Sequence, residues 1–165
     1  MALTKLGEQQ ANTSGNLPAL NSTAADFTLT GTDMKDIHLR DYAGKNVVLN
    51  IFPSVDTSTC ASSVREFNKR AASLADTVVL NIAKDLPFAM KRFCATEGIK
   101  HVYLASDFRN QGFSKDYGVE LADTAFAGLF ARAIVVINKQ GKVVHTQLVP
   151  QIGDEPDYDS ALSAI

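Results

Sequence analysis

The chain has 165 residues, of which 45% are hydrophobic and 21% charged, and its formal net charge is −2. This length suits a single domain, residues 1–165, with a sizeable core and an ordinary globular composition. The charge provides no basic surface for nucleic acid or an anionic membrane, no apolar stretch approaches a membrane span, and the N-terminus lacks a secretory signal pattern. We therefore expect a soluble cytoplasmic protein that binds neither nucleic acid nor membranes.

The N-terminal third of the chain is predicted to consist of strands. Weak alternation of apolar residues around residues 3–6 and 17–20 indicates a β-hairpin. Regular alternation at residues 26–30 predicts a half-buried strand, and a shorter strand is predicted at residues 37–39. The nearly continuous apolar run at residues 47–52 is typical of a central strand that is covered on both faces.

A polar loop follows this strand and leads into a helix that begins near Thr59. One apolar stripe is predicted on the helix, at steps of four and three residues, formed by Cys60, Val64, Phe67, Ala71 and Leu74. Cys60 is therefore expected in the first turn and on the inward side. A helix N-terminus carries about half a positive charge and free N–H donors, which favour the nucleophilic thiolate. This context indicates a reactive cysteine; the alternative is a small buried hydrophobic residue.

The rest of the chain alternates between strands and helices. Further strands are predicted at residues 77–83, 101–105, 133–137 and 142–148, and short helices at residues 110–117 and 157–165. A longer helix is predicted to open at Asp85, as its cap, with Pro87 near its first position, and to end at Gly98. Its predicted apolar face comprises Leu86, Ala89, Met90, Phe93 and Cys94. This order predicts an α/β fold with a central mixed sheet and helices on both faces.

Metal binding and hydrolysis are alternative uses of these side chains. The candidate soft metal ligands are Cys60, Cys94, His38, His101 and His145, and none are paired at the spacings of zinc sites. A cysteine hydrolase would need His101 or His145 within hydrogen-bond reach of Cys60, and nothing in the spacing supports this arrangement. We therefore expect no metal and no cofactor.

The loop before the helix carries the run Pro53-x-x-x-Thr57-x-x-Cys60. Together with the runs around Cys94 and Arg132, it resembles the thiol peroxidase class of the peroxiredoxin family, and the similarity covers nearly all of the chain after residue 25. The resemblance implies a thioredoxin-like fold with an N-terminal β-hairpin. It also implies an atypical two-cysteine peroxiredoxin that reduces hydrogen peroxide and organic hydroperoxides in antioxidant defence.

The resemblance implies a role for each residue of the motif. Cys60 would attack the peroxide, Thr57 would orient it, and the Cys60 N–H and the Arg132 guanidinium would stabilise the developing charge. Pro53 would shape a loop that shields the sulfur. From the residues alone, Thr57 is also suited to cap the helix, Pro53 to stop the strand, and Arg132 to be a solvated strand end.

Cys94 alone reads as a core residue, but it matches the family's resolving cysteine. A sulfenic acid at Cys60 would then condense with Cys94 to form a disulfide. A disulfide needs Cα atoms within about 7 Å, so residues 57–64 and 86–96 are expected to unwind partly on oxidation. The resemblance implies thioredoxin as the reductant and a homodimer as the assembly. A redox switch that uses the same cysteine pair without turnover is the non-enzymatic alternative.

Overall fold

The computed structural model describes residues 1–165, in which nine strands and four helices alternate. The strands are β1 Leu3–Leu6, β2 Gln9–Asn12, β3 Thr28–Gly31, β4 Asp36–His38, β5 Asn46–Ile51, β6 Thr77–Ala83, β7 Tyr103–Ser106, β8 Ala133–Ile137 and β9 Val143–Leu148. The helices are α1 Ser58–Ala71, α2 Pro87–Glu97, α3 Gly112–Tyr117 and α4 Tyr158–Ser163, and Leu39–Tyr42 forms one turn of 3₁₀ helix. None of these helices is both long and apolar enough to cross a membrane.

Seven strands form one mixed sheet in the order β4-β3-β7-β6-β5-β8-β9. The central strands β5, β6 and β7 run parallel to one another, whereas β8 pairs with β5 and β3 pairs with β7 in the antiparallel sense. Every residue of β5 is buried, which confirms the prediction of a central strand covered on both faces.

Side chains of the central strands alternate between two apolar clusters, one on each face of the sheet. On one face, Leu49 packs in a cluster with Phe113 and Tyr117 of α3. On the other face, Val48 lies in a cluster that includes Cys60 of α1 and residues of α2 and α4. The predicted mixed sheet with helices on both faces is therefore confirmed, and Cys60 lies between the sheet and its helical layer.

The N-terminal hairpin is present, but its second arm is not where the sequence predicts it. β1 pairs with β2, with Leu3 opposite Asn12, and the chain turns at Gly7, which has a φ of +64°. The prediction of a second arm at residues 17–20 is wrong. Leu17 packs against the apolar cluster of the sheet, and Leu20 is exposed. The true second strand, Gln-Gln-Ala-Asn, has too few apolar residues to give a clear alternation signal.

The start of α2 differs from the prediction in one respect. Pro87 occupies the first turn and Gly98, with a φ of 65°, follows the last residue of the helix, as expected. Asp85 is not the cap, because Leu86 occupies that position and no side chain caps the helix. The Asp85 carboxylate instead accepts hydrogen bonds from Ser54 and Val55. Leu86 precedes the helix with an extended backbone and is 53% exposed, so it does not belong to the apolar face that the sequence predicts.

Candidate active site

Cys60 is the third residue of α1, after Thr57 at the N-cap position. Its side chain is fully buried in the apolar cluster that also holds Phe52 and Val64. The prediction that Cys60 lies in the first turn and faces inward is confirmed. The sulfur therefore combines shielding from bulk water with the partial positive charge of a helix N-terminus.

Arg132 contacts the sulfur from the sheet. Its Nη2 donates a hydrogen bond to Cys60 Sγ at 3.2 Å, and its Nε donates to the Ile152 carbonyl at 2.7 Å. Arg132 is only 2% exposed, so its interpretation as a solvated strand end is wrong. A guanidinium held at hydrogen-bond distance from a sulfur stabilises the anionic thiolate.

One nitrogen of the Arg132 guanidinium makes no hydrogen bond. Its Nη1 is buried and has no hydrogen-bond partner. Leaving a charged donor buried and unpaired is costly, so such a group points to a ligand that completes its hydrogen bonding. Nη1 belongs to the same planar group as the Nη2 that contacts Cys60, so the free donor lies close to the nucleophile.

Thr57 stands at the helix start without capping it through its side chain. Its Oγ1 donates a hydrogen bond to the Ser54 carbonyl at 3.1 Å. The interpretation of this hydroxyl as a helix cap is therefore wrong. With its proton directed to Ser54, the hydroxyl oxygen keeps lone pairs that can accept a hydrogen bond one turn before Cys60.

Pro53 follows the last ladder hydrogen bond of the central strand. The Phe52 N–H still donates to the Ile82 carbonyl, whereas proline has no N–H to continue the ladder. Pro53 is buried, and the turn that starts at Ser54 follows directly. The residue thus ends the strand, and its burial is compatible with the predicted role in shaping the loop.

Cys94 lies on α2 and is partly buried, and both cysteines are free thiols. It packs against the same apolar cluster that contains Cys60. Burial raises the pKa of the Cys94 thiol, so this sulfur is held in its neutral form near neutral pH. The two cysteines therefore share one side of the sheet but differ in environment, because the Cys60 sulfur accepts a hydrogen bond from Arg132, whereas desolvation dominates at Cys94.

The histidines do not contact the sulfur. The Cys60 Sγ is hydrogen-bonded to Arg132, and neither His101 nor His145 is its partner. The base that the hydrolase alternative requires is thus missing from its position. No group of three or more His, Cys, Asp and Glu side chains is arranged to hold a metal ion.

A buried polar network, which the sequence did not lead us to expect, joins the first turn of α1 to the sheet. Asn50 Nδ2 donates to Ser63 Oγ at 3.1 Å and to Asn81 Oδ1 at 2.8 Å, and Ser63 Oγ donates to the Cys60 carbonyl at 2.8 Å. The network ties the Cys60 turn to the two central strands. Its sequence signal is the Val-Val-Leu-Asn-Ile run that occurs in both β5 and β6, with a polar residue in a buried position each time.

A cleft of about 400 Å³ opens between the Cys60 loop and α2. Its lining residues are Val55, Asp56, Thr57, Ser58 and Ala61 on one side and Arg92, Phe93, Thr96 and Glu97 on the other. The lining mixes apolar and charged side chains. The cleft reaches Thr57, so it provides space next to the loop that carries the nucleophile.

Comparisons with known proteins agree with this geometry. A family model described as Redoxin matches residues 19–162. A thiol peroxidase from Mycobacterium tuberculosis is 54% identical, and one from Corynebacterium glutamicum is 48% identical, each alignment covering 100% of this chain and 99% of the relative. The crystal structure of a peroxiredoxin-like protein from Aquifex aeolicus has a TM-score of 0.93 at 31% identity, covering 100% of this chain and 98% of that one. A thiol peroxidase from Chromobacterium violaceum shares the fold, with a TM-score of 0.90 at 20% identity, covering 99% of this chain and 95% of that one.

Proposed function

The chain belongs to the Redoxin family, and from this membership we propose that it is a thiol peroxidase that reduces hydrogen peroxide and organic hydroperoxides. The observation that carries the proposal is the 3.2 Å hydrogen bond from Arg132 Nη2 to Cys60 Sγ, beside the unpaired Nη1 of the same group. A nucleophilic sulfur and a free cationic donor at one point suit the cleavage of an O–O bond. The sulfur attacks one oxygen while the donor stabilises the charge on the other.

The first step converts the Cys60 thiolate to a sulfenic acid. An S–O bond forms as the O–O bond breaks, and the departing oxygen takes a proton and leaves as water or an alcohol. Thr57 Oγ1 accepts a hydrogen bond from the peroxide, since its own proton is donated to Ser54. Arg132 and the Cys60 N–H stabilise the charge that develops on the breaking bond, and Pro53 keeps water from the sulfur.

The second step forms a disulfide between Cys60 and Cys94. The Cys94 thiol loses its proton and its sulfur attacks the sulfenic sulfur; an S–S bond forms, the S–O bond breaks, and the hydroxyl group takes up a proton and leaves as water. Both side chains face one apolar cluster from separate helices, which supports partial unwinding of residues 57–64 and 86–96 as the sulfurs meet. Thioredoxin then supplies two electrons and two protons and restores both thiols.

The rate of disulfide formation should depend on pH through Cys94. Burial raises the pKa of this thiol, and only the thiolate is nucleophilic. Well below the pKa, the thiolate fraction increases about tenfold per pH unit, so disulfide formation should accelerate about tenfold per unit, or about a hundredfold in all, between about pH 6 and 8. Rapid quenching after one equivalent of peroxide, followed by mass spectrometry, measures this rate. A rate that does not change with pH would contradict a limiting role for the Cys94 thiolate.

The surface next to the site supports two further parts of the proposal. The cleft beside Thr57 has an apolar side formed by Val55 and Phe93, which suits the alkyl group of an organic hydroperoxide. Leu86 and Phe88 are 53% and 67% exposed at the start of α2, directly after Asp85, whose carboxylate contacts Ser54 and Val55 of the Cys60 loop. Two exposed apolar side chains in this place support a homodimer that covers them.

We place the protein in the cytoplasm, where thioredoxin keeps thiols reduced.

The proposed function is tested by turnover. Purified protein with thioredoxin, thioredoxin reductase and NADPH is expected to consume NADPH only after a hydroperoxide is added. Hydrogen peroxide and cumene hydroperoxide are compared in the same assay, which establishes whether organic substrates are accepted. A protein that is oxidised once and is not recycled would instead indicate a redox switch built on the same two cysteines.

A further inference from the structure

The loop that leads to Cys60 and the segment that opens α2 leave the sheet side by side. β5 and β6 are parallel neighbours, with Ile51 opposite Ile82, so the residues that follow them emerge at one edge of the sheet. Ser54 lies just after β5, and Asp85 lies just after β6. One of these segments continues to Cys60, and the other continues into the helix that carries Cys94.

The Asp85 carboxylate joins these two segments through both of its oxygens. Its Oδ1 accepts a hydrogen bond from Ser54 Oγ at 2.7 Å, and its Oδ2 accepts one from the Val55 N–H at 3.0 Å. Hydrogen bonds to a carboxylate are stronger than those between neutral groups. The Asp85 carbonyl accepts a further bond from Ser106 Oγ, which fixes the residue to the end of β7.

Ser54, held by Asp85, in turn accepts hydrogen bonds from the residues that precede Cys60. Its Oγ accepts a hydrogen bond from the Asp56 N–H at 3.1 Å. Its carbonyl accepts from the Thr57 N–H at 3.2 Å and from Thr57 Oγ1 at 3.1 Å. The orientation of the Thr57 hydroxyl therefore depends on a residue that Asp85 holds in place.

We propose that Asp85 is a positioning residue that latches the Cys60 loop to the start of α2 and sets how readily both segments open for the disulfide. This inference rests on the proposed cysteine cycle. With the latch closed, Thr57 and Cys60 keep the geometry that the peroxide requires. With the latch open, the two cysteine-bearing segments are released together. Weakening the latch should therefore slow the peroxide step and accelerate disulfide formation.

A second link between the same segments provides a matched control. Arg92 of α2 pairs with Asp56 of the Cys60 loop at 3.6 Å, but both side chains are 68% exposed. Exposed ion pairs of this kind contribute little to stability. Asp56→Asn removes the charge of this pair, as Asp85→Asn removes the charge of the latch, without touching the Asp85 hydrogen bonds.

The test compares wild type with Asp85→Asn, Ser54→Ala and Asp56→Asn in single turnover. Each protein receives one equivalent of hydrogen peroxide without reductant, because this substrate has no alkyl group to occupy the cleft that Asp56 lines. Dimedone trapping and mass spectrometry then follow the sulfenic acid and the disulfide. In Asp85→Asn and Ser54→Ala, the peroxide step is expected to be about three- to tenfold slower and disulfide formation about three- to tenfold faster, since each variant loses part of the latch. With excess peroxide, both should accumulate less sulfinic acid than wild type, and Asp56→Asn should match wild type.

The opposed signs separate this role from a general loss of structure, which would slow both steps. An unchanged or slower disulfide step in Asp85→Asn and Ser54→Ala would overturn the proposal, as would an equal acceleration in Asp56→Asn. If wild type reacts with peroxide but forms no Cys60–Cys94 disulfide, the proposed cycle fails together with the latch. If wild type forms the disulfide and the variants react at the same rates as wild type, the latch proposal fails while the proposed cycle stands.

Discussion

Replacing Cys60 with serine is expected to abolish hydroperoxide-dependent NADPH consumption, with a loss of about 10⁴-fold or more. A serine hydroxyl is a far weaker nucleophile than a thiolate, and it has no stable oxidised form that a thiol can reduce. Because the two side chains are nearly isosteric and Cys60 is buried, the fold should be retained, which circular dichroism and thermal unfolding can verify. Turnover that persists in Cys60→Ser would show that another residue receives the peroxide oxygen.

Cys94→Ser is the matched control, because it removes the second sulfur and leaves the Cys60 site intact. This variant should consume one equivalent of hydroperoxide and stop as a sulfenic acid that dimedone traps. Thioredoxin-driven turnover should be lost. Continued turnover with thioredoxin alone would contradict Cys94 as the resolving residue, while the assignment of Cys60 would stand.

The local environment of Cys60 was predictable because it depends on short-range patterns. The apolar spacing of α1 places Cys60 on the same face as Val64 and Phe67, and all three are fully buried. The apolar run before it predicts a central strand, which β5 is. Helical period and strand burial are read from consecutive residues, so no knowledge of the tertiary fold is needed.

The contact between Arg132 and Cys60 was not predictable from spacing, because a strand pairing creates it. β8 runs antiparallel to β5, with Ala133 opposite Ile51. Arg132, just before β8, is therefore brought to the edge of the sheet where the Cys60 loop begins. Only the family resemblance assigned Arg132 to the site, since a sequence does not specify which strands pair.

At Asp85, by contrast, the local sequence predicts a helix cap that the folded protein does not form. An aspartate before a proline and an apolar helical face is a typical N-cap pattern. In the folded protein, the neighbouring parallel strand delivers Ser54 and Val55 to the carboxylate, and these donors replace the helix N–H groups as its partners. Tertiary hydrogen bonds, rather than the preference of aspartate for a helix N-cap, therefore determine where this side chain lies.

Replacing Arg132 with methionine is expected to lower kcat/KM for hydroperoxide by about 10²–10³-fold, the usual loss when a fixed donor to a developing charge is removed. The substitution removes both the hydrogen bond to Cys60 Sγ and the unpaired Nη1. Arg132→Lys retains a charge, but one ammonium cannot reproduce the planar fork that reaches both Cys60 and the Ile152 carbonyl, so this variant should be only partly active. Steady-state kinetics with thioredoxin and varied peroxide give kcat/KM directly.

A second reaction separates the two roles of the guanidinium. Alkylation of Cys60 by iodoacetamide needs the thiolate but no donor for a departing oxygen, so Arg132→Met should slow it much less than it slows peroxide reduction. Arg70→Met serves as the control, because Arg70 pairs with Glu66 and Asp159 at the surface of α1 and should change neither rate. Equal losses of alkylation and peroxide reduction in Arg132→Met would mean that Arg132 acts on the sulfur alone. A larger loss for peroxide means that the second donor stabilises the breaking O–O bond, which is the property that distinguishes a peroxidase from a protein with a merely reactive cysteine.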